Sequence, residues 1–113
     1  MTWAVALATP ASGSPIGDPV RGRSLYAACM GCHAIDDNDV GPRHRGVVGR
    51  RAGIVPGYAY SSALKASGLT WTPANLERWL AGPQKLVPGA RMFFSLAKAK
   101  DRADIIAYLA TQR

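Results

Sequence analysis

A long stretch without hydrophobic periodicity constrains most strongly how this chain can fold. Residues 35–56 are rich in glycine and arginine. Their apolar side chains follow neither the 3.6-residue period of a helix nor the two-residue alternation of a strand, so we predict a long loop. Loops of this length are uncommon inside a compact domain unless they wrap around something.

Short helices are predicted on both sides of this loop, which gives an all-α fold class. The predicted helices cover residues 19–28, 62–67, 73–81 and 101–111. Asp18, Ser61 and Thr72 are side chains that cap helix N-termini, while Gly82 and Pro83 are predicted to stop the third helix. Four short helices and a long loop do not make an ordinary bundle core. Another group must therefore fill the centre of the domain.

Residues 29–33, Cys-Met-Gly-Cys-His, supply the chemistry for such a group. This C-x-x-C-H pattern is the attachment signature of c-type haem. Each thiol adds to one vinyl group of the porphyrin, and the histidine that follows binds the iron. The motif predicts one haem c, bound covalently through Cys29 and Cys32, with His33 as the proximal iron ligand.

Three other interpretations of the two cysteines remain open. A thioredoxin-like redox pair needs a preceding strand, and none is predicted before Cys29. A zinc site needs four ligands, and only His33 and His44 could join the cysteines, since the chain has two cysteines and two histidines. A structural disulfide between Cys29 and Cys32 would suit an exported protein.

Length and charge limit the class of protein. The chain has 113 residues, which fits one domain. Fourteen basic residues against seven acidic ones give a net charge of +7, which favours an acidic partner or an anionic surface. The basic residues are scattered and match no nucleic-acid recognition module, so nucleic acid is not an expected partner. Without a long apolar run, at most peripheral contact with a membrane surface is expected.

The first sixteen residues differ in character from the rest. Residues 1–16 contain a short apolar run with small residues near its end, like the rear of a secretory signal peptide, although no basic segment precedes it. Two interpretations stand: a signal-peptide remnant or a disordered tail. The first predicts export to the periplasm, and both place the folded domain at residues 17–113.

From about residue 17 to 109 the chain resembles the class I cytochromes c, of the bacterial cytochrome c2 and mitochondrial type. The resemblance lies in seven blocks in the same order: 22–26, 41–42, 46–50, 57–60, 68–71, 87–92 and 102–109. It implies the cytochrome c fold, with about four short helices and long loops wrapped around one covalent haem. It also implies a soluble, monomeric electron carrier of a respiratory or photosynthetic chain, and not an enzyme.

The resemblance also implies a second iron ligand. Met92 follows Pro88-Gly89 as the methionine ligand does in this family, whereas Met30 lies inside the attachment loop. His33 and Met92 are therefore the predicted metal ligands. A methionine that fills a gap in the core, or His44 as the ligand instead, are the alternatives.

Further pocket residues are implied in the same way. The carbonyl of Pro42 matches the group that accepts the other ring N–H of His33. Arg50, Tyr60 and Trp71 match positions that bond or neutralise the haem propionates. The alternatives are a surface charge for Arg50 and core aromatics for the other two residues. Gly22 and Tyr26 match positions where the first helix crosses the last, and they are assigned to packing.

Two departures from the family pattern concern the haem pocket. Leu64, Trp79 and Ala90 stand where mitochondrial members have an asparagine, a tyrosine and a threonine around a buried water. We therefore expect a drier pocket on the methionine side. His44 stands where the family usually has a leucine against the haem.

Partner docking is expected around basic side chains. The candidates are Lys85, Arg91, Lys98 and Lys100, which would meet acidic surfaces of an oxidase, a reductase or a reaction centre. Two other functions stay open as alternatives: a peroxidase that acts when Met92 leaves the iron, and a sensor of nitric oxide or carbon monoxide.

Overall fold

The computed structural model describes residues 16–113, and this part of the chain is helical. It contains α1 (Pro19–Leu25), α2 (Ser62–Ala66), α3 (Pro73–Ala81), α4 (Pro83–Leu86) and α5 (Ala99–Thr111), with a 3-10 turn at Tyr26–Ala28. The strand-like pairing seen between residues 16 and 113 is one isolated bridge between Arg51 and Thr70. The all-α prediction is confirmed. The predicted signal peptide or tail, except for Ile16, lies outside the described residues.

The predicted capping residues do cap their helices. The Asp18 carboxylate accepts from the backbone N–H of Val20 at 2.9 Å, and the Ser61 hydroxyl accepts from that of Leu64 at 3.1 Å. The Thr72 hydroxyl accepts from the backbone N–H of Asn75, the third residue of α3, at 3.1 Å. Each bond satisfies an N–H that the helix itself leaves without an acceptor. None of the helices in residues 16–113 has the length and apolar character needed to cross a membrane.

The structure corrects two details of the predicted helices and refines a third. Pro83 was taken only as a stop signal, but it begins the additional short helix α4, because the fixed φ of proline suits the first helical position. The last helix begins at Ala99, two residues before the predicted start, and its N-cap Lys98 makes no side-chain capping bond that could mark this start. The first helix tightens into a 3-10 turn from Tyr26, just before the cysteines.

The first and last helices cross at very short range. A Cβ placed on Gly22 would lie 1.8 Å from the backbone oxygen of Asp104 in α5. Only a residue without a side chain permits this approach of two helix backbones. The crossing confirms the predicted packing role of Gly22 and joins the two ends of the described chain.

The core combines helix side chains with residues of the irregular segment. Its buried members include Leu76, Trp79, Ile105 and Leu109 from the helices, Trp71 from the segment before α3, and Val47 and Ala52 from the loop. Residues 35–56 form no helix, as predicted. Backbone bonds from Arg45 to the carbonyl of Ile35 at 2.8 Å and from Ala52 to that of Leu69 at 2.8 Å hold this loop in place.

Candidate haem site

The two cysteines lie in the turn that follows α1. Cys29 ends the 3-10 turn, and its carbonyl accepts from the backbone N–H of His33 at 2.8 Å, which brings the histidine back toward α1. Both thiols are free; Cys29 is half-buried and Cys32 is exposed. Burial raises the pKa of the Cys29 thiol, the opposite of what a reactive redox cysteine requires. This raised pKa disfavours a thioredoxin-like pair.

His33 has one ring nitrogen engaged by the protein, as predicted. Its Nδ1 donates to the carbonyl of Pro42 at 3.0 Å, and because a carbonyl can only accept, the proton must reside on Nδ1. The Nε2 lone pair is thereby presented to a metal. A Cβ on Gly41 would lie 2.0 Å from Cε1 of His33, so a glycine is required beside the ring.

His44 lies directly against His33. The two imidazole rings stack with their centroids 4.0 Å apart and their planes at 21°, and the Nδ1 atom of His44 is 2.8 Å from the Tyr26 hydroxyl oxygen. Burial lowers the pKa of His44 to about 3, with added effects of His33 and Arg50, so the ring is uncharged at neutral pH. Because its ring lies against that of His33, His44 is on the same side of the site as the proposed proximal ligand. It is therefore not placed to bind the iron from the opposite side.

Tyr26 therefore has a polar contact that the assignment to packing missed. Its ring does pack against Tyr108, with centroids 5.4 Å apart, but its hydroxyl pairs with His44. The sequence carried only one signal for this pair. That signal was the unusual histidine at a position where the resemblance implies a leucine.

Arg50 is half-buried, and its side chain is bonded to the loop that carries His44. Its guanidinium donates to the carbonyls of Arg43 at 2.9 Å and Arg45 at 3.2 Å, the two residues that flank His44. Burial lowers the pKa of Arg50, as expected for a charge partly removed from water. Arg50 is thus a half-buried group that fixes the loop, and the interpretation as a plain surface charge does not hold.

Tyr60 and Trp71 are both packed, and each retains a polar group for further bonding. The Tyr60 hydroxyl accepts from the backbone N–H of Val55 at 3.0 Å, which leaves its own proton available to donate. Trp71 is 6% exposed and meets Trp79 edge to face at 5.2 Å. Its indole N–H is a donor group, since an indole nitrogen can only donate.

The loop that carries Met92 is held by a residue that sequence reasoning missed. The side-chain amide of Gln84 donates to the carbonyl of Met92 at 2.9 Å and also to that of Ala90. Gln84 lies in α4, a helix that was not predicted, so no signal pointed to it. Met92 is half-buried against the core, where Leu64 and Trp79 are also buried.

These donors fit a covalently attached haem. The chain offers two free thiols in one turn, an oriented imidazole with its Nε2 available, and a thioether on a separately anchored loop. The structure does not support a zinc site. In the part of the chain that it describes, no three His, Cys, Asp or Glu side chains form a cluster that could hold a metal ion.

Comparison with known proteins agrees with this chemistry. The family model for cytochrome c matches residues 19–113. Cytochrome c2 from Rhodomicrobium vannielii is 46% identical over 111 residues, which cover 95% of this chain and 89% of the relative. Cytochrome c2 from Rhodopila globiformis is 48% identical over 102 residues, covering 87% and 96% of the two chains. The structure of cytochrome cH from Methylobacterium extorquens superposes with a TM-score of 0.82 at 50% identity, covering 84% and 99%.

The match extends over the fold, the attachment motif and nearly the whole described chain. The cytochrome c fold predicted from the resemblance is confirmed, as is the predicted cofactor, a c-type haem bound covalently through Cys29 and Cys32. The predicted function of electron transfer is confirmed at this level as well. This chain belongs to the cytochrome c family and is an electron-transfer haem protein.

Proposed function

We propose that this protein shuttles single electrons between redox partners of a respiratory or photosynthetic chain, with the haem iron bound by Nε2 of His33 and the sulfur of Met92. The observation that carries this proposal is the His33–Pro42 bond at 3.0 Å. It holds the proton on Nδ1, so that Nε2 is the ligating atom, and it raises the basicity of the ligand.

Two filled axial positions explain why we propose a carrier and not an enzyme. A haem bound by histidine and methionine supplies a one-electron couple whose potential the soft sulfur ligand raises. With both positions occupied by protein, no place is left on the iron for a substrate. His44 stacks on His33 and pairs with Tyr26, so it is not free to act as an acid or base on the opposite side. A peroxidase is therefore the weaker proposal.

Three further side chains are proposed to face the haem propionates. Arg50 uses two of its five N–H donors on backbone carbonyls, which leaves a fixed cation with donors to spare. The Tyr60 hydroxyl keeps a proton to donate, and Trp71 carries an indole N–H, which is a donor only. Charge-assisted hydrogen bonds of this kind are about twice as strong as neutral ones.

The proposed partners are acidic redox proteins such as an oxidase, a reductase or a reaction centre. The net charge of +7 favours such surfaces electrostatically. Among the predicted docking residues, Arg91 donates to the carbonyl of Ala59 at 2.7 Å and Lys100 pairs with Asp104 at 3.4 Å. Lys85 and Lys98 are exposed and are the better candidates. We further propose that the protein acts as a monomer in the periplasm.

The absorption spectrum of the ferric protein and of its Met92→Ala variant tests the axial ligands. We expect the weak far-red band of a sulfur-to-iron bond in the wild type and its loss in Met92→Ala, which should then bind azide. Met30→Ala is the matched control, because Met30 is exposed within the attachment turn. A wild type without the band, or a Met92→Ala variant that retains it, would contradict the proposal.

A further inference from the structure

Three aromatic rings contact one another in sequence beside the proposed iron ligand: Tyr26, His44 and His33. The Tyr26 hydroxyl oxygen lies 2.8 Å from Nδ1 of His44, and the two rings meet at 63°. The His44 ring then lies nearly parallel to that of His33, at 4.0 Å. His44 thus connects the end of α1 to the histidine of the attachment motif.

His44 is fixed firmly enough to position a neighbour. Its backbone N–H donates to the carbonyl of Ala34 at 3.0 Å, and the Arg50 guanidinium holds the carbonyls on both sides of it. Its own ring is restrained by the bond to Tyr26, which in turn packs against Tyr108. Both the backbone and the side chain of His44 are therefore anchored to several elements.

His33 needs such a support. One hydrogen bond, from Nδ1 to the Pro42 carbonyl, restrains the direction of its ring but permits rotation about that bond. A flat ring stacked on its face at 4.0 Å removes this freedom. Groups that orient a metal-binding histidine typically affect metal affinity or activity by about 10–100-fold when they are mutated.

We propose that His44, held in place by the Tyr26 hydroxyl, is a positioning residue that sets the ring plane of His33 and thereby tunes the haem iron. This inference rests on the proposed ligation by His33. It concerns residues to which the resemblance gives no role at the iron, since His44 replaces the leucine usual in the family and Tyr26 was expected to serve packing only.

The test uses the haem-loaded protein and four variants. Tyr26→Phe removes only the hydroxyl, His44→Phe keeps a stacked ring without Nδ1, and His44→Leu removes both. Tyr108→Phe is the matched control, because that ring packs against Tyr26 but takes no part in the bond between Tyr26 and His44. The measurements are the hyperfine-shifted ring-proton resonances of His33 in the ferric protein and the midpoint potential.

We expect Tyr26→Phe and His44→Phe to displace the His33 resonances in the same direction. We also expect them to change the equilibrium constant of electron exchange about two- to tenfold, the size of one hydrogen bond. The double variant should equal His44→Phe alone, because both substitutions break the same bond. His44→Leu should give the largest displacement, and Tyr108→Phe none.

Two results would overturn the proposal: resonances and potential at wild-type values in both Tyr26→Phe and His44→Phe, or effects of the two substitutions that simply add. If His44→Leu fails to fold, Tyr26→Phe and His44→Phe still test the proposal. The far-red methionine band, measured on the same samples, separates this test from the proposed function. If the band is present and the His33 resonances are unchanged in the variants, the positioning role is rejected and the proposed ligation stands. If the band is absent from the wild type, the proposed ligation itself is rejected.

Discussion

The Arg21 guanidinium of α1 donates to the Asp104 carboxylate of α5 at 2.7 Å, although Asp104 is only 1% exposed. The same carboxylate accepts from the backbone N–H of Asp18 at 2.8 Å and lies 3.4 Å from the Lys100 ammonium. A buried charge is tolerated when it is paired and hydrogen-bonded in this way. Asp104 therefore fastens the beginning of the described chain to its last helix.

The first prediction concerns the pH dependence of stability. The backbone N–H of Asp18, followed by Arg21, holds the pKa of Asp104 below its ordinary value of 3.8. Since the folded-state pKa is depressed, the stabilisation is present above 3.8 and is lost as the pH falls through the folded-state pKa. Asp104→Asn should lower the free energy of unfolding at pH 7, and its difference from the wild type should shrink below about pH 4.

Urea unfolding of the haem-loaded protein between pH 2.5 and 7 measures this difference. Asp37→Asn, at an exposed loop position, is the control for removing a negative charge. A difference between Asp104→Asn and the wild type that stays constant over the whole range would show that the Asp104 charge does not stabilise the fold.

The second prediction concerns the crossing of α1 and α5. Gly22→Ala places a methyl group where the Asp104 backbone oxygen lies, so the helices must separate. We expect a loss of at least about 3 kcal/mol, the upper range for overpacked positions. Gly82→Ala is the control: its Cβ meets the Lys85 Cβ at 3.4 Å, and its change should stay within about 1 kcal/mol. Equal losses in thermal unfolding would contradict the proposed contact.

The third prediction concerns the methionine side of the pocket, which the sequence predicts to be drier than in mitochondrial relatives. Trp79 is buried beside Leu64 and Ala90, none of which carries a hydroxyl. Trp79→Tyr would introduce a phenol donor that weakens electron donation by the Met92 sulfur, so the midpoint potential should rise by the equivalent of about 1 kcal/mol. Trp79→Phe loses the indole without adding a donor. Equal potentials for the two variants would show that the hydroxyl does not reach the sulfur.

The fourth prediction concerns electrostatic steering. Lys85→Glu and Lys65→Glu each lower the net charge by two, but only Lys85 is a predicted docking residue. Oxidation by ferricyanide, an anion, should slow several-fold more in Lys85→Glu, and added salt should reduce this difference. A cationic cobalt oxidant should show the reverse order. Identical stopped-flow rates for the two variants would place the docking charges elsewhere.

Much of the fold could be predicted because its signals are local. Asp18, Ser61 and Thr72 cap helices through bonds to residues two or three positions away, so the sequence pattern contains the whole interaction. The short helix α4 escaped prediction because Pro83 is compatible both with ending one helix and with beginning another. Local propensity does not distinguish these two outcomes.

The amino-acid sequence by itself determined the attachment chemistry, since two thiols and an imidazole within five consecutive residues need no further folding to define a haem site. Only the tertiary structure decided what surrounds that site. Tyr26 and His44 are separated by 18 positions, and Asp18 and Asp104 by 86. Such partners are brought together by the packing of the whole domain. A hydrogen bond forms only when its two groups lie about 3 Å apart, and the residues between them in the sequence do not indicate which groups will pair.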